Sequence, residues 1–562
     1  MIKNISDDLV IVLAGEAGQG LQAIESILSS LLKRSGYNFF STSEFMSRVR
    51  GGTNSTEIRV SSKPAAGFMD RIDILIPLHN GAIQHLKKRI TESTIVIGEK
   101  DKINYGKIID IQFTKMAAET GSAIFSNTVA AGFICGLLKI DIKECENFIL
   151  EHFRGKNEDI KIKNAEAVRK GHAAGISLKD ININIKKSDD VKQHLLLSGA
   201  DSVVLGAIAG GCNYVCGYPM SPSTSVLEKL AVYSQKFDII VEQVEDEVGV
   251  VNMALGAWYA GARALVTTSG GGFALMTEGI SLCGMIESPL VLHLAQRPGP
   301  ATGLPTRTEQ GDLNLVLYAG HGEFPRIILA PGTLEEGFTL SQKAFNLSAE
   351  YQVPVFILTD QFFVDSSYNT PQFNTVKISS EKHIVETEKD YKRFSLAQNG
   401  ISPRGIPGYG NGKVCADSDE HDEAGYITED SDMRIKMVNK RHKKFDSIKS
   451  AVIPPKLYGN ADYKTLVVCW GSTINIVAEA VEALGKKEIA VLHFSWIYPL
   501  PDETGGYLKK AGKIIIVENN SSAQFAQLIK LSTGYSIDNK ILKYNGFPFS
   551  VEEIIKEIKQ FI

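Results

Sequence analysis

The sequence predicts an α/β protein, and three observations carry that prediction. Strongly apolar runs of strand length alternate with amphipathic runs of helix length over most of the 562 residues. Two of the apolar runs end in a glycine-rich turn that opens a helix, at residues 15–20 (GEAGQG) and 266–272 (VTTSGGG). The chain is also too long for one hydrophobic core, so several such units are expected. Alternating strands and helices favour sheets whose strands run mostly parallel.

The first predicted unit covers residues 1–180. A buried strand (DLVIVLAG) leads through the first glycine turn into an amphipathic helix that stops at Gly36. Further strands are predicted at 71–78 and 93–98, and helices at 127–140 and 142–153. The expected result is a parallel sheet covered by helices. The polar residues 180–193 are expected to be a connection.

The second predicted unit covers residues 194–450 and the third covers 460–562. In the second, a buried helix followed by a strand is expected at 248–268, and more strands follow as far as VPVFILTD. Residues 391–450 break the alternation with a Pro- and Gly-rich loop, and with eight acidic residues and His421 within 417–432. The acidic run is expected to be a solvated loop, with a cation site as the alternative. In the third unit, strands are predicted in TLVVCWG, IAVLHFSWIYPLP and KIIIVENN.

Composition and charge exclude several function classes. The net charge of −4 argues against nucleic-acid binding and against a polybasic membrane surface. Residues 248–268 contain Asn252 and Arg263, which does not suit a membrane span, and the N-terminus lacks the layout of a signal peptide. Seven cysteines form no disulfide framework, so a reducing cytoplasm is expected. Cys212 and Cys216 form a close pair that is expected to be structural.

Three segments could carry chemistry. Backbone amides of GEAGQG, with Gly15, Gly18 and Gly20, could bind an anion at a helix N-terminus, or the glycines could serve tight packing. Glu247 begins an apolar helix, where a carboxylate either caps the helix or has a functional partner. The loop 296–312 follows a strand, where open α/β sheets bind ligands, and its two arginines, at 297 and 307, could hold a carboxylate or form surface ion pairs.

Several motifs, in this order, resemble the α subunit of 2-oxoacid:ferredoxin oxidoreductases with the γ domain of that family fused in front. They are YPMSPSTS (218–225), DEVGVVNMALGA (246–257), TTSGGG followed by LMTEGI, and QRPGPATGLPTRTEQGDL (296–313), with GEAGQG and RGGTNS in the first unit. The resemblance implies three α/β domains: a γ domain (1–180), a thiamine-diphosphate pyrimidine-binding domain with a loop extension (194–450) and a transketolase C-terminal-like domain (460–562).

The resemblance also implies an activity. Members of this family oxidatively decarboxylate a 2-oxoacid on thiamine diphosphate, reduce ferredoxin through an iron–sulfur cluster and transfer the acyl group to coenzyme A. The best match for the substrate is 2-oxoglutarate. Pyruvate or a branched-chain or aryl 2-oxoacid, a non-oxidative transketolase-type enzyme and a non-catalytic scaffold remain the alternatives.

By the same resemblance, individual residues acquire roles. Glu247 is expected to contact the aminopyrimidine ring of the cofactor, with Tyr218 and Pro219 beside it. Ser221 is expected beside the carbonyl and carboxylate of the substrate, and Arg297 is expected to hold that carboxylate. In the γ domain, Arg50 is expected to meet a second carboxylate, such as that of 2-oxoglutarate. The glycines of GEAGQG remain candidates for binding coenzyme A or another anion.

The chain lacks two features of a complete enzyme of this kind. It has no G-D-G motif for Mg²⁺ and diphosphate and no set of cluster-binding cysteines, so no metal is expected on this chain. The α subunits of the family share both absences, which implies a β subunit that carries Mg²⁺ and a [4Fe–4S] cluster, in an assembly of two αβ pairs. The sequence departs from the family motifs at four positions, where it has Met220 for isoleucine, Ser221 for threonine, Gly271 for proline and Ala523 for glycine.

Overall fold

The computed structural model describes residues 3–16, 19–47, 52–376 and 378–562. Within them the strands are β1 (Lys3–Ser6), β2 (Asp8–Glu16), β3 (Asn38–Glu44), β4 (Thr53–Ser61), β5 (Ile74–Pro77), β6 (Ile95–Gly98), β7 (Ile108–Asp110), β8 (Ile181–Asn184), β9 (Leu195–Ser198), β10 (Tyr214–Gly217), β11 (Ile240–Gln243), β12 (Ala264–Thr268), β13 (Leu290–Gln296), β14 (Ile327–Leu329), β15 (Pro354–Asp360), β16 (Ser367–Thr370), β17 (Lys456–Tyr458), β18 (Thr465–Trp470), β19 (Ile489–Phe494), β20 (Trp496–Tyr498), β21 (Lys513–Glu518) and β22 (Asn539–Leu542).

The α-helices in the same residues are α1 (Leu21–Arg34), α2 (Gly81–His85), α3 (Phe113–Ala118), α4 (Ser126–Leu137), α5 (Ile142–His152), α6 (Glu158–Ser177), α7 (Asp189–Lys192), α8 (Gly199–Ala209), α9 (Thr224–Phe237), α10 (Glu247–Tyr259), α11 (Gly270–Leu275), α12 (Thr277–Met285), α13 (Leu313–Leu317), α14 (Leu334–Tyr351), α15 (Gln361–Asp365), α16 (Ser431–Ser450), α17 (Ile474–Leu484), α18 (Thr504–Lys510), α19 (Gln524–Thr533) and α20 (Val551–Lys559). The predicted α/β class is confirmed. No helix in the described ranges is both long enough and apolar enough to cross a bilayer.

The chain forms two compact units. The first consists of Met1–Leu197, Ser366–Gln372 and Ser550–Glu552, and the second of Ser198–Asp365, Phe373–Phe549 and Glu553–Ile562. The second unit therefore contains both segments that the resemblance treats as separate domains. One cluster of buried apolar side chains runs through this unit, from Ala200 to Ile537.

The sheet of the first unit is mixed, so the prediction of a parallel sheet there is wrong in part. Its strand order is β7-β6-β5-β2-β4-β3-β16-β9. The strands β2, β5, β6 and β7 run parallel, but β4 is antiparallel to both β2 and β3. The link from Glu44 to Thr53 is too short for the crossover that parallel neighbours need. Residues 180–193 were expected to be only a connection, but they contain β8, which pairs with β1, and the short helix α7.

The second unit has two sheets. The larger has the order β11-β10-β12-β13-β15-β14-β20 and is parallel except for β20. The smaller has the order β17-β19-β18-β21-β22, with only β17 antiparallel. The run IAVLHFSWIYPLP, predicted as one strand, is divided at Ser495. Its first part, β19, belongs to the smaller sheet, and its second part, β20, closes the edge of the larger sheet against β14.

Residues 391–430 are irregular, as predicted, but residues 431–450 form the helix α16, and the acidic run is not simply solvated. His421 is fully buried, and its ring packs 3.9 Å, centre to centre, from the ring of Phe394. Glu420 forms an ion pair with Arg441 of α16 at 2.9 Å. The basic residues that follow the acidic run therefore hold part of it in place. Among the described residues, no group of acidic, His and Cys side chains is arranged to hold a metal ion.

Helix α16 is anchored by a buried charge cluster. The Glu287 carboxylate contacts the ammonium groups of Lys440 at 2.6 Å and Lys444 at 2.5 Å, and all three side chains are at most 2% exposed. Burial by itself raises the pKa of Glu287, but the two ammonium groups hold it below its usual range. The backbone carbonyl of Glu287 also accepts a hydrogen bond from Arg393 at 2.7 Å.

Replacing Glu287 by Gln should therefore destabilise the protein by about 3–5 kcal/mol, because two ammonium groups would stay buried without their counter-charge. The measurement is the Tm of the variant against that of Glu388→Gln, which alters an exposed carboxylate. Equal Tm values for the two variants would contradict this prediction.

Cys212 and Cys216 are buried thiols, as the sequence predicts. The Cys212 Sγ donates to the carbonyl of Tyr214 and the Cys216 Sγ to that of Val250, both at 3.4 Å. Burial raises the pKa of each thiol to about 12. Both are therefore protonated near neutral pH and chemically inert.

Candidate functional site

The candidate site lies at the carboxyl ends of neighbouring parallel strands in the second unit. The strands β11, β10, β12 and β13 are adjacent in the larger sheet, in that order. Each leads at its carboxyl end into a segment that the sequence analysis singled out. These segments are 244–247 after β11, 218–223 after β10, 269–272 after β12 and 297–312 after β13. Open α/β sheets bind ligands at this edge.

Glu247 is the first residue of α10, and its carboxylate is not used to cap the helix. The cap is Asp246, whose Oδ1 accepts the backbone N–H of Gly249 at 2.7 Å. The Glu247 side chain is only 4% exposed, and its Oε1 has no hydrogen-bond partner among the described residues. The sequence left open whether Glu247 caps the helix or has a functional partner. In the structure Asp246 is the cap, and Glu247 keeps a buried carboxylate oxygen without a partner in the described residues.

The glycine turn 269–272 packs directly against Glu247. A Cβ atom at position 272 would lie 2.5 Å from Glu247 Oε1 and closer still to Thr268 Oγ1, so only glycine fits there. At position 271 a Cβ atom would have room, with Met220 Sδ at 3.9 Å and the carbonyl of Ala301 at 3.7 Å. The turns after β10, β12 and β13 thus meet at Gly271.

Ser221 and Arg297 are brought together, although they are far apart in sequence. The Arg297 Nη1 donates a 2.7 Å hydrogen bond to the backbone carbonyl of Ser221. The Arg297 Nε is buried and has no partner in the described part of the chain. Ser221 itself is exposed, as are Tyr218 and Pro219 on the same turn. Arg307 is directed elsewhere, with its guanidinium 4.9 Å from the ring centre of Phe547.

Asp312 and Ser269 belong to the same place; the sequence analysis includes the segments that contain them but names neither residue individually. A Cβ atom at Gly270 would lie 2.7 Å from Asp312 Oδ1 and closer to Oδ2, so this carboxyl group packs directly against the turn at Gly270. Asp312 Oδ2 and Ser269 Oγ are both buried without a hydrogen-bond partner in the described residues. The only available sequence signal was the position of Asp312 in the TEQGDL part of the loop.

Within the described part of the chain, four buried polar atoms at or beside one glycine turn therefore have no partner: Glu247 Oε1, Ser269 Oγ, Arg297 Nε and Asp312 Oδ2. Each such atom costs about 1–3 kcal/mol, because folding removes its water and returns nothing. A concentration of unsatisfied groups in one place is expected where a polar ligand supplies the missing partners. The arrangement offers one guanidinium, two carboxyls and a hydroxyl to such a ligand.

Two glutamine side chains fix the ends of the loop 297–312 by hydrogen bonds. The Gln296 side chain donates to the carbonyl of Thr359 at 3.0 Å and accepts the backbone N–H of Asp312 at 3.0 Å. Near the end of the loop, Gln310 donates to the carbonyl of Trp470 at 2.9 Å and accepts the N–H of Asn519 at 3.0 Å. Arg297 and Asp312 therefore stand on a loop that is fixed at both ends.

A buried histidine lies on β13 beneath the loop. Its Nδ1 contacts Thr267 Oγ1 at 2.9 Å and its Nε2 contacts Thr359 Oγ1 at 2.8 Å. Burial lowers the pKa of this His293 to about 3, so the ring is neutral. His293 thus links three strands of the sheet and brings no charge to the site.

The candidate residues of the first unit are described only in part. Arg50 and Gly18 lie outside the described residues, so their predicted roles stay predictions. Gly15 lies in β2, where a Cβ atom would be 2.5 Å from Gln19 Oε1. Gly20 caps α1 with a φ of 74°, which favours glycine. Tight packing accounts for both glycines, and anion binding there remains a prediction.

The first unit contains a cavity of about 240 Å³ beside Gln19 of the GEAGQG segment, and Lys102 and Asn127 also line it. The Lys102 ammonium is engaged by Glu99 at 2.8 Å and by Thr114 Oγ1 at 2.7 Å.

Comparison with known proteins gives consistent matches over the whole chain. Residues 205–440 match a family described as pyruvate flavodoxin/ferredoxin oxidoreductase, thiamine diphosphate-binding, and residues 10–174 match pyruvate ferredoxin/flavodoxin oxidoreductase. The 2-oxoacid:ferredoxin oxidoreductase subunit alpha of Saccharolobus solfataricus is 30% identical over an alignment of 624 positions, gaps included, which covers 98% of this chain and 97% of that protein. The 2-oxoglutarate synthase subunit KorA of Methanothermobacter thermautotrophicus is 28% identical, over 65% of this chain and 98% of its own.

The same likeness holds in three dimensions. A solved structure of 2-oxoglutarate:ferredoxin oxidoreductase from Magnetococcus marinus, with 2-oxoglutarate, coenzyme A and succinyl-CoA bound, superposes with a TM-score of 0.91. That protein is 28% identical in sequence, and the superposition covers 99% of each chain.

Proposed function

This chain belongs to the α subunits of the 2-oxoacid:ferredoxin oxidoreductases, and we propose that it supplies the substrate-binding residues of an enzyme that oxidatively decarboxylates 2-oxoglutarate. The products are succinyl-CoA, CO₂ and reduced ferredoxin. The observation that carries the proposal is Glu247, a buried carboxylate with a free oxygen at the carboxyl edge of the sheet, inside the segment that matches a thiamine diphosphate-binding domain.

The residues of the site fit thiamine diphosphate. Glu247 Oε1 is buried and lacks a partner, and a ring nitrogen of the aminopyrimidine would supply one. When bound, the cofactor supplies the electron-accepting group that decarboxylation needs. Glu247 would exchange a proton with that ring nitrogen, and Tyr218 and Pro219 would lie beside the ring. Because Gly272 has no side chain, the Glu247 carboxylate can lie against the turn.

Arg297 and Ser221 are proposed to bind the 2-oxoacid. The unpartnered Nε of Arg297 can donate to the substrate carboxylate, and its Nη1 bond to the Ser221 carbonyl fixes the guanidinium plane. The Ser221 hydroxyl, on an exposed turn, can donate to the substrate carbonyl. Among 2-oxoacids, 2-oxoglutarate is favoured by the names of the Magnetococcus and Methanothermobacter relatives. Pyruvate and branched-chain or aryl 2-oxoacids remain the alternatives.

The remaining components are proposed to come from partners. A β subunit would carry Mg²⁺ and a [4Fe–4S] cluster, in an assembly of two αβ pairs, and coenzyme A would bind near Gly15, Gly18 and Gly20. Apolar side chains beside the site support a protein partner, since Tyr218 and Met253 are each 40% exposed and Val248 is 47% exposed. The names of the relatives, which are subunits, agree with this.

The test is reduction of a viologen dye by the chain co-produced anaerobically with a cluster-bearing β subunit, supplied with thiamine diphosphate, Mg²⁺ and coenzyme A. A panel of 2-oxoacids identifies the substrate, and 2-oxoglutarate is expected to give the highest kcat/KM. Arg50→Gln should then raise KM for 2-oxoglutarate more than KM for 2-oxobutyrate, which has no second carboxylate. No reduction with any 2-oxoacid, in a complex with its cluster intact, would favour a non-oxidative thiamine enzyme or a scaffold.

A further inference from the structure

Two carboxyl groups pack against the glycine turn, and only one of them has a role in the proposed function. Glu247 lies against Gly272, and Asp312 lies against Gly270. Each has one oxygen that is buried and unpartnered within the described residues. The absence of a side chain at both glycines lets the two carboxyl groups approach the turn closely.

Asp312 lies within the electrostatic reach of Arg297 without satisfying it. The two charges influence each other, yet Arg297 Nε and Asp312 Oδ2 both lack a hydrogen bond in the described residues. Both atoms are buried, so each is expected to find its missing hydrogen-bond partner in a polar ligand bound at this turn. A 2-oxoacid has the required oxygens, in a carboxylate and the adjoining carbonyl.

The charge state of Asp312 decides what it can offer such a ligand. Burial is the largest cause that raises its pKa, the nearby Glu309 carboxylate raises it further, and Arg297 opposes both, with a result of about 7. Gly270 and Gln296, which also contact Asp312, are uncharged. Near neutral pH much of Asp312 is therefore a neutral carboxylic acid, which donates a hydrogen bond.

We propose that Asp312 is a substrate-binding residue that acts in its protonated form, donating a hydrogen bond from Oδ2 to an oxygen of the 2-oxoacid that Arg297 holds. This inference rests on the proposed function and adds a residue to the same site. A neutral Asp312 leaves the positive charge of Arg297 free for the substrate carboxylate. An ionised Asp312 would compensate that charge and repel the substrate, so binding weakens as Asp312 loses its proton.

The first test is the pH dependence of kcat/KM for the 2-oxoacid in the αβ complex. The kcat/KM of the wild type should show a break near pH 7 and fall about 10-fold per pH unit above it, because a single required proton is lost. Asp312→Asn keeps an uncharged donor of the same shape and should abolish this break. Glu309→Gln removes a charge that raises the Asp312 pKa, so the break should move to lower pH. If Asp312 had only a structural role, the pH dependence of kcat/KM would not change in the Glu309→Gln variant.

The second test measures the protonation of the Asp312 carboxyl group directly by infrared spectroscopy. The infrared difference spectrum between wild type and Asp312→Asn in the complex should show the carbonyl band of a protonated carboxyl group that titrates near pH 7. Adding the 2-oxoacid should move that titration to higher pH, because the substrate binds the protonated form.

The outcomes separate the two proposals. Two results would overturn this inference alone, provided that a 2-oxoacid is turned over. One is an Asp312→Asn variant that keeps the pH break in kcat/KM, and the other is an infrared titration that does not shift when the 2-oxoacid is added. If no 2-oxoacid is bound or turned over, the proposed function fails and this inference fails with it.

Discussion

Replacing Glu247 by Gln is expected to lower kcat of the αβ complex by about 10²–10⁴-fold, the range that a positioned acid or base contributes. Gln has the same shape and can still donate or accept a hydrogen bond, but it cannot carry a proton on and off a ring nitrogen. The fold should not suffer, because the substitution removes a buried carboxylate with an unpartnered oxygen. The Tm of the variant should equal or exceed that of the wild type.

The matched controls for this variant are its two acidic neighbours. Glu245→Gln changes an exposed carboxylate and should leave kcat within about 2-fold of the wild-type value, since surface changes have small effects. Asp246→Asn keeps a good helix cap, because Asn caps helices about as well as Asp, so it should change both stability and turnover little. The measurement is viologen reduction at saturating 2-oxoacid, with bound thiamine diphosphate determined in each variant. Turnover of Glu247→Gln near that of the wild type, with cofactor bound, would exclude Glu247 from the proton transfer.

Replacing Gly272 by Ala is expected to be almost as damaging to activity, by about 10²-fold or more, although it adds a single methyl group. The new Cβ would lie 2.5 Å from Glu247 Oε1 and closer to Thr268 Oγ1, so the carboxylate has to move. Thr268 is fully buried on β12 and has little room to yield. A displacement of this kind in a catalytic group is costly even when the fold survives.

The adjacent glycine provides the control. Gly271→Ala places its Cβ 3.7 Å from the nearest atom, which is an ordinary contact, and the family motif has a proline at this position. Gly271→Ala should therefore keep most of the wild-type kcat and Tm. The comparison isolates the Glu247 contact, because both variants add the same methyl group to the same turn. Equal losses of activity in the two variants would show that the turn itself, and not the position of Glu247, is sensitive.

Much of the secondary structure could be predicted from the sequence, because it depends on neighbours within a turn or two of the chain. The buried strand at 8–15, the helix and strand within 248–268 and the loop between β16 and α16 all appear as expected. The errors concern pairing between distant strands. The antiparallel pairing of β4 with β2 and the transfer of β20 to the other sheet depend on contacts that no local pattern encodes.

The sequence by itself determined which residues follow the strands of the larger sheet, and thereby placed Ser221, Glu247 and Arg297 at strand ends. Their expected roles came from the resemblance of the motifs, and spacing alone left capping and ion-pair alternatives open. Only the tertiary structure decided that β11, β10, β12 and β13 are adjacent, which gathers those strand ends at one edge. It also showed which buried atoms lack partners, and it added Asp312, whose carboxyl group packs on a glycine far away in sequence. The physical reason is that helix and strand propensities are local, whereas burial, hydrogen-bond partners and pKa values are set by whichever distant segments the fold brings into contact.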